Sequence, residues 1–184
     1  MKRKIMIYVL SILCILIVSC DSTGIKENNE GRKEESELEN TEFVNSEEEL
    51  INALNNYYSV TINDNITSNN ELIIEEEFFK TDTAEENNVV NIGIRINLFS
   101  KDENNNIINN YVLEAPSLTI QSENTIIKGG TFIGDIYIKA KGFEIDNTKV
   151  KGNLYFKDEE TKNTFVKSNT ASVQGQIRVQ GDES

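Results

Sequence analysis

Several residue types that carry common chemistries are scarce or missing in this sequence. Among its 184 residues there are no His and no Trp, one Pro and two Cys. Without His the chain lacks the commonest general base and the commonest metal ligand, which excludes Ser-His-Asp and Cys-His catalysis. Basic residues are also few, since 18 Lys and Arg against 31 Asp and Glu give a net charge of −13. This charge argues against nucleic acid as a partner, because phosphate binding needs clustered Lys and Arg.

The N-terminus has the pattern of an export signal. Residues 2–4 are all basic, and an apolar run follows from Ile5 to Val18. The run is shorter than the roughly 20 residues that a membrane-spanning helix needs. A short apolar core behind positive charge and before a small residue is typical of a cleaved secretory signal.

The end of this segment, Ile17-Val18-Ser19-Cys20, resembles the lipobox of bacterial lipoproteins. The resemblance implies a signal peptide over residues 1–19, cleavage between Ser19 and Cys20, and a diacylglycerol, with acyl chains such as palmitate, on the Cys20 thiol. It implies an exported protein, lipid-anchored to a bacterial membrane at the cell surface or in the periplasm. Cys14 leaves with the signal, so no disulfide forms. Two alternatives remain open: an uncleaved membrane anchor with an incidental Cys, and secretory cleavage that leaves Cys20 free.

Residues 20–42 are predicted to form a disordered acidic linker that begins at the lipidated Cys. Between residues 21 and 42 there are eight acidic and three basic side chains, and the only aliphatic ones are Ile25 and Leu38. Such a segment cannot bury enough apolar surface to offset the cost of ordering the chain. We therefore expect a solvated spacer between the lipid anchor and a folded domain over residues 43–184.

The folded domain is predicted to begin with a short capping helix over residues 46–56. Ser46 and Glu49 form a capping box, in which Ser46 caps the helix and Glu49 reaches back to the Ser46 amide. The apolar residues expected on its buried face are Leu50, Ile51 and Leu54, with Phe43 or Val44 packed against them.

After this helix the period of the sequence changes to that of strands. Residues 89–99 alternate apolar and polar side chains, which predicts the longest strand of the chain. The acidic, Asn-rich segments on either side, residues 75–88 and 100–110, are predicted to be exposed loops.

An internal repeat is the strongest signal in the sequence. The quartets LTIQ, IYIK, LYFK and IRVQ begin at Leu118, Ile136, Leu154 and Ile177, at intervals of 18, 18 and 23 residues. A second register aligns residues 125–127, 143–145 and 164–166. A third register aligns an apolar-x-Gly-polar-apolar pattern, whose glycines are Gly134, Gly152 and Gly175.

Three short strands per unit, with Gly at a fixed corner, predict an all-β fold: a single-stranded parallel β-helix, or β-solenoid, behind the capping helix. In such a fold each coil buries its inner face by stacking on the next. Gly is expected at the corner because it adopts backbone conformations that a Cβ would resist. The extra residues of the last interval are predicted to form a loop. The alternative is an antiparallel meander, whose strands also recur every roughly 8–12 residues.

The domain is similar to two groups of proteins. Its capping helix and coils resemble the right-handed parallel β-helix of pectate-lyase-like proteins, which implies an enzyme that acts on polysaccharide. The repeated Gly step resembles that of the bactofilins, bacterial β-helices that polymerise, which implies self-assembly. Bactofilins typically carry no export signal, and this chain departs from them there.

Two columns of outward side chains are predicted on the stacked coils. Asp135, Asn153 and Gln176 form a polar ladder, which holds one carboxylate and so suits two-carboxylate catalysis poorly. Tyr137, Tyr155 and Arg178 form a possible binding face for a sugar ring or for the apolar surface of a partner. Cross-strand stacking that only stabilises the sheet is the alternative. The sequence has no calcium loop and no phosphate-cradling loop, so no metal, cofactor or catalytic residue is predicted.

Together these features predict a membrane-anchored lipoprotein that displays a small non-catalytic β-solenoid for binding or for organisation of the cell envelope. The expected partners are membrane lipid, through Cys20, and a carbohydrate or an envelope protein. The chain itself is expected to be a monomer, because the helix at one end and the polar GDES tail at the other are typical of caps. A polysaccharide-acting enzyme and a bactofilin-like self-assembling protein remain the alternatives.

Overall fold

A computed structural model of the protein describes residues 41–82 and 88–181. All of these residues belong to one compact unit, Lys33–Ser184. The predicted signal peptide, its cleavage site at Ser19 and Cys20, and residues 20–40 of the predicted linker lie outside the described residues. In the part that is described, no helix is long and apolar enough to cross a membrane.

The described residues form 18 strands and two helices. Helix α1 spans Glu47–Asn56 and helix α2 spans Glu159–Asn163. In chain order the strands are β1 (Thr41–Val44), β2 (Ser59–Ile62), β3 (Ile66–Thr67), β4 (Leu72–Ile74), β5 (Phe79–Asp82), β6 (Asn88–Asn91), β7 (Arg95–Asn97), β8 (Phe99–Lys101), β9 (Ile107–Asn110), β10 (Val112–Ile120), β11 (Ile126–Lys128), β12 (Thr131–Ile138), β13 (Glu144–Asp146), β14 (Lys149–Lys151), β15 (Leu154–Phe156), β16 (Val166–Lys167), β17 (Ser172–Val173) and β18 (Ile177–Val179).

Most of these strands lie in two parallel sheets. Sheet A has six strands in the order β1-β2-β7-β11-β13-β16. In sheet B, β3 and β4 pair with β10, β10 pairs with β12, β12 pairs with β14 and β15, and these two pair with β17 and β18. The described antiparallel pairs are the hairpins β5–β6 and β8–β9. The chain is therefore mostly β, as predicted.

The four quartets lie side by side in sheet B. Leu118 pairs with Ile136, Ile136 with Leu154, and Leu154 with Ile177, each time in parallel. The first three of these side chains are fully buried, because alternate residues of a strand point to opposite faces and these face the core. The predicted alignment of the quartets is confirmed, and the antiparallel meander is wrong for this segment.

The second predicted register is correct for its first two members and wrong by one residue for the third. Ile126 pairs with Glu144, but Glu144 pairs with Val166 and not with Phe165. Phe165 instead stacks on Phe143, with ring centroids 5.7 Å apart. The shift places one more aromatic ring against the core, which favours this register over the predicted one.

The extra residues of the last interval form helix α2, where a loop was predicted. Asp158 is the N-cap, and its carboxylate accepts a hydrogen bond of 2.8 Å from the Thr161 amide. Glu159 and Glu160 occupy the first turn, where negative charge suits the helix dipole.

The predicted long strand over residues 89–99 is wrong, because the chain is divided there among β6, β7 and β8. The break lies at Gly93, whose φ of +61° is unfavourable for other residues. A Cβ at Gly93 would also lie 2.1 Å from the Asn124 carbonyl oxygen. Ile94, Ile96 and Leu98 beyond the break are fully buried, as the alternation indicates.

Helix α1 confirms that a helix lies where one was predicted, over residues 46–56, with differences in detail. The Ser46 side chain accepts a hydrogen bond from the Glu49 amide, but the Glu49 carboxylate accepts one from Asn45 and not from Ser46. The buried residues of the helix are Leu50, Ala53 and Leu54. Ile51 is 39% exposed, and Val44 rather than Phe43 packs in the core. The described chain is already in strand β1 at Thr41, two residues before the predicted start of the domain.

The strands β16, β17 and β18 are the last described strands of their sheets. Each pairs with a neighbouring strand on one side only within the described residues. Val166 is 51% and Ile177 40% exposed. Residues 182–184 of the GDES tail, predicted to cap this end, lie outside the described residues.

Candidate functional site

The repeated glycines form a column at one corner of sheet B. A Cβ at Gly152 would lie 1.8 Å from the Gly134 carbonyl oxygen, and one at Gly175 would lie 2.3 Å from that of Gly152. Of the three, only Gly134 has a positive φ, +138°. The alignment of the glycines is confirmed, but at Gly152 and Gly175 the reason is close approach between neighbouring strands and not an unusual φ.

The predicted polar ladder stands next to this column. The Asn153 backbone and side-chain N–H groups both donate to Asp135 Oδ1, at 2.8 and 2.9 Å. The Gln176 amide donates to Asn153 Oδ1 at 2.9 Å. The Asp135 and Asn153 side chains are thus each bonded to the next strand, whereas Gln176 takes part through its backbone N–H. This bonding supports the structural interpretation of the column.

The predicted aromatic strip is also present on the outer face of sheet B. Tyr137 and Tyr155 are paired across β12 and β15, with ring centroids 5.0 Å apart and planes 16° from parallel. The Arg178 guanidinium lies 4.9 Å from the centroid of the Tyr155 ring, and its Nη2 donates to the Tyr155 hydroxyl at 3.5 Å.

This geometry limits what the strip can bind. Both faces of the Tyr155 ring are in contact, one with Tyr137 and the other with Arg178. A sugar ring stacks on the face of an aromatic ring, and both faces of the Tyr155 ring are already occupied. The contacts therefore favour the alternative of stacking that stabilises the sheet.

The Tyr137 phenol of this strip is expected to make the free energy of unfolding fall at alkaline pH. Burial raises the pKa of the Tyr137 phenol, and the nearby charges of Asp135, Tyr155 and Glu71 raise it further. In the unfolded chain a tyrosine loses its proton near pH 10, at about its ordinary pKa. The stability contributed by the neutral phenol is therefore complete below that pH and is lost as the pH rises through the higher folded pKa. We expect the melting temperature of Tyr137→Phe to fall less than that of the wild type between pH 9 and 11. An equal fall in both proteins would contradict this assignment.

A cleft that the sequence did not indicate opens on the outer face of sheet A. Its volume is about 670 Å³, within the range typical of small-molecule sites. The floor includes Ser59 and Thr61 of β2, which pair with Arg95 and Asn97 of β7. Ser59 and Thr61 are almost fully buried, although their neighbours Val60 and Ile62 face the core. The Asn97 side chain donates to Thr61 Oγ1 at 3.0 Å.

One wall of this cleft comes from the hairpin β8–β9, where an exposed loop was predicted. Asp102 at its turn accepts hydrogen bonds from the Asn104 and Asn106 amides, both at 2.9 Å. The bonds from Asn106, first from its backbone and then from its side chain, lower the pKa of Asp102. Two sequence patterns belong to this cleft: the alternation of polar and apolar residues in SVTI, and the turn-forming Asp-x-Asn-Asn-Asn run. Neither pattern predicts a cleft by itself.

The described lining of the cleft contains more basic than acidic side chains, although Lys128 also lies 3.9 Å from Asp146 at its border. Three cations line it, namely Arg95, Lys101 and Lys128, and Asp102 is the one acid among the described lining residues. Two rings complete the lining: Phe43 is 54% exposed, and Phe99 lies 5.6 Å from Lys101 Nζ.

Three of the carboxylates near the repeated strands lie beside lysines. Asp146 lies 3.9 Å from Lys128 Nζ, Glu160 pairs with Lys141, and Glu159 pairs with Lys162. Asp158 is the helix cap described above. Among the described residues, no group of three or more His, Cys, Asp and Glu could hold a metal ion.

Three comparisons with known proteins found no match to this chain. No family model matches the chain, and neither a curated protein nor a solved structure matches it.

Proposed function

We propose that the protein is an exported, lipid-anchored bacterial protein that displays a small non-catalytic β-solenoid for binding or envelope organisation. The solenoid is supported by the repeated parallel register, in which equivalent residues of successive units pair in both sheets. The anchor is supported by the resemblance of residues 17–20 to a lipobox.

The non-catalytic role rests on one observation: in the two outward columns of sheet B, side chains contact their neighbours in the same column. Asp135 and Asn153 are joined by two hydrogen bonds, and the Tyr155 ring lies between two neighbours. Groups held in this way stabilise the pairing of neighbouring strands, which supports a structural role for both columns. A polysaccharide-acting enzyme would need a separated acid and base on one face.

Metabolic labelling with radioactive palmitate in a bacterial host tests the anchor. We expect label in the wild-type chain and in Cys14→Ser, and none in Cys20→Ser, because only Cys20 follows the lipobox pattern. Cys14→Ser is a matched control, since Cys14 lies six residues before Cys20 and is not preceded by the lipobox pattern. Label that is absent from the wild type, or that depends on Cys14, would contradict the proposal.

Self-association is the second candidate function, and the last strands favour it. Within the described residues each of these strands has one edge without a neighbouring strand, and together with the exposed Ile177 these edges form a surface on which another strand can pair. Sedimentation of the detergent-solubilised chain separates the candidates. The mass of one protomer supports the monomer predicted from the sequence, and a larger mass that Ile177→Lys reduces supports self-association.

A further inference from the structure

We propose that four exposed lysines of sheet B dock the domain on the anionic phospholipid headgroups of the membrane that holds its anchor. This inference rests on the lipid anchor proposed above and gives the displayed domain an orientation. The four residues, called the basic surface from here on, are Lys139, Lys149, Lys151 and Lys157.

Charge is divided along the direction in which the strands stack. Residues 41–130 contain 16 acidic and 4 basic side chains, whereas residues 131–181 contain 6 acidic and 8 basic ones. Because the strands of both sheets follow one another in chain order, the first range forms one end of the stack and the second range the other. The later strands are therefore net positive within a chain whose net charge is −13.

The basic surface forms no ion pair in the part of the chain that the structure describes. The ion pairs found there use other lysines, namely Lys128, Lys141 and Lys162. Lys149 and Lys151 are exposed on β14, on either side of a buried residue. Lys157 lies near Asp158, but that carboxylate is bonded to the Thr161 amide as the cap of helix α2. The positive charge of this surface is thus directed to solvent.

Two lysines of the basic surface are stacked on neighbouring strands. Lys139 and Lys157 directly follow Ile138 and Phe156, which pair across β12 and β15. Their backbones are therefore roughly 4.8 Å apart. Like charges opposite each other destabilise a sheet, and phosphate groups that approach both lysines would offset this repulsion.

The proposed anchor brings the basic surface within reach of a membrane. Twenty residues separate Cys20 from Thr41, and a segment of that length can extend to roughly 70 Å. The six strands of sheet A stack over only about 25 Å, so the last strands can reach the headgroups around the anchor. Tethering also raises the effective concentration of the surface beside those headgroups. A soluble polyanion has no such advantage, which favours phospholipid as the partner.

The same charges set the orientation of the docked domain. An anionic membrane attracts the basic surface and repels the acidic side chains of residues 41–130. The buried side chains of sheets A and B share one core, so the outer face of sheet A points away from the outer face of sheet B. The cleft on sheet A therefore stays open to solvent when the basic surface is docked.

Energy transfer to labelled headgroups tests the proposal on the lipidated protein in vesicles. A fluorophore is attached to Ser172→Cys, which lies beside Lys149 on β17, or to Asn55→Cys on helix α1. With phosphatidylglycerol in the vesicles, we expect stronger transfer from the first position than from the second. The difference should vanish in neutral phosphatidylcholine, and also at about 1 M salt, where the Debye length is about 3 Å. Equal transfer from both positions in the anionic vesicles, or a difference that persists in the neutral ones, would overturn the proposal.

Two double variants that remove the same charge locate the surface. Each lysine near an anionic membrane contributes about a fivefold factor, so Lys149→Gln with Lys151→Gln should lower the ratio of docked to free domains by about 25-fold. Lys101→Gln with Lys128→Gln removes two cations from the cleft and should leave the ratio nearly unchanged. Equal losses in the two variants would mean that net charge acts and not this surface.

A soluble anionic polysaccharide is the competing partner. Binding of dextran sulfate by the basic surface, with no response to anionic vesicles, would assign the surface to polysaccharide and contradict docking on lipid. Palmitate incorporation at Cys20 reports on the anchor alone, whereas energy transfer compares two ends of the anchored domain. The two proposals therefore fail separately.

Discussion

Gly152→Ala is expected to lower the free energy of unfolding by about 3 kcal/mol or more. The added Cβ would lie 1.8 Å from the Gly134 carbonyl oxygen and 2.5 Å from its carbon, so β12 or β14 must move. Because this is backbone, no side-chain rotation relieves the contact. Denaturant unfolding followed by far-UV circular dichroism measures the loss.

Gly181→Ala is the matched control for this substitution. Gly181 has a φ of +94°, but a Cβ there would meet nothing within 4 Å. Its cost is the conformational one, about 1 kcal/mol. If the two variants lose equal stability, the close approach of the strands is not what requires Gly152.

Phe156→Ala is expected to cost about 3–5 kcal/mol, the range for a large buried aromatic. Phe156 is fully buried, pairs with Ile138 and Val179 on the neighbouring strands, and lies 5.3 Å from the ring of Phe165. Its removal leaves a cavity between strands that pack on both sides.

The next residue along the chain tests the orientation of the same strand. Lys157 is exposed, so Lys157→Ala should change the free energy of unfolding by less than about 0.5 kcal/mol. Both values come from the same denaturant titration. A larger loss for Lys157→Ala than for Phe156→Ala would mean that the side chains of this segment face the opposite way.

The repeated strands could be predicted because their signal is local and recurs. Leu154 and Phe156 alternate with polar residues, and the same pattern is found one unit before and one unit after. Parallel stacking pairs like with like, so aligned sequence becomes aligned structure, as at Leu118, Ile136 and Leu154. After the insertion that precedes Phe165, the observed strand register differs from the predicted one by one residue. The Phe165 ring packs on Phe143 in the observed register, and the sequence repeat does not indicate this contact.

The cleft could not be predicted because its parts are distant in sequence. Phe43, Thr61, Arg95 and Lys128 come from four strands and meet only when β1, β2, β7 and β11 pair. Residues 100–110 were predicted to form an exposed loop because they are acidic and Asn-rich, whereas in the structure they include most of β8 and all of β9. This segment forms one wall of the cleft because β8 pairs with β9, and no local sequence pattern indicates that pairing.

Nuclear Overhauser contacts between the quartets test the central claim most directly. The account predicts that backbone protons of Ile136 are close to those of Leu154, and those of Leu154 to those of Ile177, in the amide-to-Hα pattern of parallel strands. Antiparallel pairing brings the Hα protons of opposed residues together instead. Strong Hα-to-Hα contacts between successive quartets would contradict the parallel stacking on which the columns and the proposed β-solenoid depend.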